Sequence, residues 1–102
     1  MLVEKQAFSS RDDAMAKIVG AGLSPIEYRV TPDNFHDLRE DRHRHRRAVT
    51  AYVLDGCARV RDSDNRLCEA YAGDKISVEA GEWHSEELSP YSAILGVEPQ
   101  AS

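Results

Sequence analysis

Cysteines and large aromatics are scarce in this chain of 102 residues, which has two Cys, one Trp, two Phe and four Tyr. Cys57 and Cys68 stand eleven positions apart, without the paired spacing of a zinc or disulfide framework. Both are expected to be buried or half-buried free thiols in a reducing compartment, the cytoplasm. No apolar run approaches the roughly 20 residues that span a bilayer, so no membrane partner is expected. The opening MLVEKQAFSSRDD has no apolar stretch behind a basic start and does not read as a secretion signal. An excess of basic charge is also missing. Thirteen Lys and Arg face eighteen Asp and Glu, and the net charge of −5 argues against a general nucleic-acid or anionic-membrane binder.

What is present has the balance of a soluble globular chain, 41% hydrophobic and 30% charged. A length of 102 residues suits one domain over 1–102. Folding at that size buries roughly 65% of the extended chain's surface, enough for a core without staples. Ser10, then Arg11-Asp12-Asp13, the apolar Ala14, Met15, Ile18 and Val19, and Gly20 predict a helix over 11–19, within 9–20. From 25 to 98 short strand-like runs alternate with turn residues. They cover 26–30, 48–54, 57–61, 67–71, 76–78, 84–88 and 91–97, with Asp55-Gly56 read as a tight turn and 62–65 as a hairpin tip. Such spacing implies an all-β antiparallel sandwich or barrel with one short N-terminal helix.

The histidines carry the chemistry. His43 and His45 lie two apart, so on a strand both imidazoles project from one face and can reach one metal ion. His84 follows a glycine turn about forty residues later, where a neighbouring strand begins. Glu86 shares the parity of His84 and is a candidate substitute ligand or catalytic general base. Arg47 has the parity of the two histidines and could pair with an anionic group near the mouth. Arg42, Arg44 and Arg46 take the other face. Residues 33–47 hold five arginines against four carboxylates, too even a balance for a nucleic-acid patch. His36 sits in an acidic loop-like stretch and reads as a surface residue.

His43-Arg44-His45 with Gly56 eleven positions on resembles the first motif of the cupin superfamily. The run Gly73-Asp74-Lys75-Ile76-Ser77-Val78-Glu79-Ala80-Gly81-Glu82-Trp83-His84 resembles its second motif, with Glu79 in place of the usual proline. The two motifs and the hairpin between them cover residues 43 to 84, and the N-terminal helix followed by Ile26-Glu27-Tyr28 also resembles small single-domain bacterial cupins. The resemblance implies a jelly-roll (double-stranded β-helix) barrel and a divalent transition metal (Zn, Ni, Fe or Mn) on His43, His45 and His84. The family's fourth ligand, a glutamate, falls on Val49. Neutral imidazoles alone leave the ion's charge uncompensated, which weakens Fe(II) or Mn(II) more than Zn(II) or Ni(II). Val49, Ala51, Val53, Ile76 and Val78, with Arg47, are expected to line a small, largely apolar ligand pocket. Trp83, Tyr52 and Leu54 should face outward, needing cover from the helix or from the second subunit of a homodimer. The function implied is binding of a metal and a small molecule, as in a dioxygenase or isomerase. The alternative is a non-catalytic sensing barrel without metal, so whether the chain is an enzyme stays open.

Overall fold

The computed structural model describes residues 1–31, 46–87 and 89–99. It is mostly antiparallel β-sheet with one short helix, in the order β1 (Leu2–Glu4), α1 (Arg11–Gly20), β2 (Ser24–Val30), β3 (Val49–Arg61), β4 (Leu67–Tyr71), β5 (Lys75–Val78), β6 (Ser85–Glu86) and β7 (Tyr91–Val97). The main ladder runs β1-β5-β3-β7-β2, and β4 and β6 pair with the far half of β3. Among the described residues this sheet does not close into a ring.

The helix follows its sequence signals. Ser10 accepts the Asp13 N–H at its Oγ (3.1 Å), and Asp12 and Asp13 place negative charge in the first turn. It runs one residue past the expected end. The chain leaves the helix at Gly22, with φ of +76°, where the Leu23 N–H reaches the Ile18 carbonyl (3.0 Å). Ala14 and Ile18 are buried, whereas Val19, expected on the packed face, is 61% exposed.

Asp55-Gly56 is not a turn, which corrects the reading of two strands there. β3 is one strand of thirteen residues with a bulge between Val53 and Asp55. A bulge and a hairpin turn make the same demand on glycine, a positive φ, and Gly56 has +78°. The chain continues because β7 stays paired beyond the bulge, Asp55 with Ser92 and Gly56 with Tyr91. The two halves of β3 therefore serve different neighbours. Val49–Tyr52 lies between β5 and β7, and Cys57–Arg61 pairs with β4.

Two apolar clusters form on opposite faces of this sheet. The inner one contains Val30, Val53, Ala58, Val60, Ala70, Ile76, Val78, Tyr91 and Ala93. The outer one joins Phe8, Ala14 and Ile18 to Tyr52 and Ile94 of the sheet. Phe8 meets Tyr52 edge-on, with ring centroids 5.3 Å apart. Gly96 lets the helix come close, since a Cβ there would lie 3.2 Å from Ile18 Cγ1. The helix thus supplies the cover expected for Tyr52 and Leu54, while Trp83 remains 43% exposed.

The segment before the helix also enters the sheet, as the unexpected strand β1, paired with β5. It is held by Asp74, whose buried carboxylate accepts from the backbone N–H groups of Gln6 (3.0 Å) and Tyr71 (2.8 Å) and from Lys5 Nζ (3.0 Å). Burial pushes that carboxyl upward. The Tyr71 N–H, Lys5 and Gln6 outweigh it and hold Asp74 below the usual aspartate value. Among the described residues no helix is long and apolar enough to cross a membrane.

Candidate functional site

Period-two alternation aims Val49 and Ala51 of β3, Ile76 and Val78 of β5, and Leu95 and Val97 of β7 at one interior cavity. Val60 lines it from the far half of β3, and Tyr28, His84, Glu86 and Tyr91 supply its polar groups. Its volume is about 200 Å³, room for a small organic molecule.

The polar groups converge on Glu86. Tyr91 Oη donates to Glu86 Oε1 (2.6 Å), and Tyr28 Oη donates to Oε2 (3.1 Å). Both phenols are pushed far above their ordinary value, first by burial and then by the negative charge of Glu86. They therefore keep their protons and act as donors at neutral pH. The two rings lie 6.0 Å apart at a tilt of 57°. His84 is buried, and its Nδ1 lies 3.2 Å from the Glu82 carbonyl oxygen. A carbonyl oxygen only accepts, so that contact makes Nδ1 a protonated nitrogen of the ring.

Of the residues expected here, Val49, Ala51, Ile76, Val78, His84 and Glu86 line the cavity. Val53 does not; it is fully buried in the packed inner cluster. Arg47 does not either. It donates from Nη1 to the carbonyls of Glu98 and Pro99 at the sheet end, beside a recess of about 450 Å³. That recess is larger, but its titratable groups are Arg46, Arg47 and Glu98 at the end of the sheet, and Arg47 is already engaged there. The interior cavity, with four converging polar side chains, is the better site. His43 and His45 lie outside the described residues, as do His36, Arg42 and Arg44.

Tyr28, Tyr91, Val60, Leu95 and Val97 were missed. For Tyr91, Leu95 and Val97 the signal was available, since 91, 93, 95 and 97 alternate along one strand. Val60 was hidden by the bulge, which switches the inward positions of β3 from odd to even numbers.

Among the described residues no three His, Cys, Asp or Glu side chains are grouped to hold a metal ion. The cavity contributes one imidazole and one carboxylate, and both oxygens of that carboxylate already accept from phenols. Val49 offers nothing to an ion. The described donors are thus an incomplete set for a transition metal.

Neither a family model nor a curated protein matches the chain. The likeness that does exist is to solved structures, and at this identity it is one of fold alone. One such structure is the crystal structure of a conserved protein of unknown function from Streptococcus pyogenes. It is 17% identical, with a TM-score of 0.50, over 76% of this chain and 77% of that one.

Proposed function

We propose that this chain is a small cupin-type barrel whose interior cavity binds a small, largely apolar molecule. The observation that carries this reading is the carboxylate of Glu86, held by two phenols inside a cavity whose other described lining, His84 apart, is apolar. A polar cluster of that kind is costly to bury and orients a ligand better than it stabilises a core. The two free thiols suit a reducing compartment such as the cytoplasm. A homodimer would cover exposed apolar groups such as Trp83 and Ile26.

Titration with cyclohexanol, followed through the ring signals of Tyr28 and Tyr91, tests the binding reading. Saturable shifts are expected in the wild type and not in Ala51→Phe, which fills the cavity. No saturable shift in the wild type, with cyclohexanol or with a charged analogue of the same shape, refutes it.

A second reading is supported by the orientation of His84, whose Nδ1 faces a backbone carbonyl as metal-ligating imidazoles commonly do. In that reading His43, His45 and His84 hold a divalent transition metal, Zn, Ni, Fe or Mn. The metal would supply a Lewis acid or an oxygen activator, and Glu86 would hold a proton beside it. Metal analysis of protein purified without chelators decides this. A stoichiometric metal lost in His84→Ala supports it; no metal, and no rise in melting temperature with Zn(II), overturns it.

A further inference from the structure

The described lining of the interior cavity contains one carboxylate and no lysine or arginine. Among the described residues the carboxylate's side-chain partners are two neutral phenols, each of which donates its single proton to it. The donors of Tyr28 and Tyr91 are thereby used, while the phenol oxygens and the remaining lone pairs of Glu86 still accept. Among the described lining the polar end of the cavity is thus rich in acceptors, and its carboxylate has neutral phenols for partners. Of the other described lining residues, Val49, Ala51, Ile76, Val78, Leu95 and Val97 are apolar.

We infer that the ligand of this cavity is a small organic amine: an apolar body of a few carbons with an ammonium group that donates to Glu86 and the two phenol oxygens. This rests on the binding reading above and adds the chemical class to it. An ammonium has three donors and no acceptor, which matches an end that offers acceptors. Its charge compensates Glu86 in a partly desolvated place, where a charge-assisted hydrogen bond is strongest. A carboxylate or phosphate ligand would meet the like charge of Glu86, with no lysine or arginine among the described lining to offset it. A neutral alcohol fits the apolar lining but brings no charge to Glu86.

Three probes of one shape separate these cases: cyclohexylammonium, cyclohexanol and cyclohexanecarboxylate, each titrated against the wild-type protein by calorimetry. The ammonium is expected to bind about tenfold tighter than the alcohol or better, and the carboxylate not measurably. In Glu86→Gln, which keeps the side chain's size, the advantage of the ammonium over the alcohol should vanish. Equal or tighter binding of the alcohol in the wild type overturns the amine and leaves the binding reading standing, as does an ammonium preference that survives Glu86→Gln. Binding of none of the three removes the binding reading and the amine with it. The wild-type comparison decides even where the variant does not fold.

Discussion

Replacing Asp74 with alanine should be among the most damaging single changes outside the cavity. Its carboxylate is 2% exposed and accepts from the Gln6 N–H, the Tyr71 N–H and Lys5 Nζ. The alanine leaves two backbone donors without their acceptor. Hydrogen bonds to charged groups contribute about 1.5–3 kcal/mol each, and an unsatisfied buried donor costs a similar amount. The Lys5 pair adds less, because the lysine side chain is 58% exposed and its charge is screened. Because Gln6 and Tyr71 are themselves exposed, the low end of that range applies to each, a loss of about 3 kcal/mol in all and a large part of the roughly 5–15 kcal/mol that holds a small domain folded. Urea unfolding followed by Trp83 fluorescence measures it, and the melting temperature should fall by roughly 12–24 °C. The pH dependence has a definite sign. The folded Asp74 carboxyl is held below its ordinary 3.8, so its contribution is fully present above that value. It is lost as the pH falls below 3.8 toward the folded value, so the gap between wild type and Asp74→Ala should be flat from neutral pH down to about 5 and close only in more acid solution. A variant within about 0.5 kcal/mol of wild type at neutral pH, or a gap that closes near pH 6, would refute the reasoning.

Three further outcomes follow from the packing. Gly56→Ala should cost about 2–4 kcal/mol in denaturant unfolding, because the position has φ of +78° and a Cβ would press on the Pro90 carbonyl and lie 2.9 Å from Tyr91 Cα. A loss under about 1 kcal/mol would show that the bulge relaxes freely. Ile18→Ala, at a fully buried position between the helix and the sheet, should cost about 3 kcal/mol, whereas Val19→Ala, at an exposed one, should stay within about 0.5 kcal/mol. Equal losses at the two positions would contradict the helix orientation. Burial and Glu86 raise Tyr28 and Tyr91 above the ordinary 10.0, so the folded state loses stability as the pH rises past that value while the unfolded chain ionises. Phenolate absorbance should therefore lag until the circular dichroism is lost, and ionisation of every tyrosine in a natively folded chain would contradict the site.

The chain's alternation and its turn residues are local signals. They were enough for the class of fold, the helix and the inward set Val49, Ala51, Ile76, Val78, His84 and Glu86. Ala51, Ile76, Val78 and Glu86 follow from parity within one strand, and parity needs no partner to be known, while Val49 and His84 stand where the resemblance to the family motifs put them. Ser10 and the acidic first turn fix the start of the helix for the same reason.

Partnership across the sheet is another matter. Whether Asp55-Gly56 reverses the chain or bulges depends on whether β7 continues beside it, and no residue near 55 records that. The bulge in turn moves the inward face of β3 by one position, which brings Val60 to the cavity, and Val53 ends in the packed cluster beneath it. Tyr28 and Tyr91 are 63 positions apart in sequence and opposite ends of no recognisable motif, yet β2 and β7 place both phenols on Glu86. The sequence alone thus determined which side chains share a face along an unbroken run of strand, since that is set by backbone geometry, and not where the bulge of β3 changes the face. Only the tertiary structure decided which of them meet, because the meeting depends on strand pairing between distant segments.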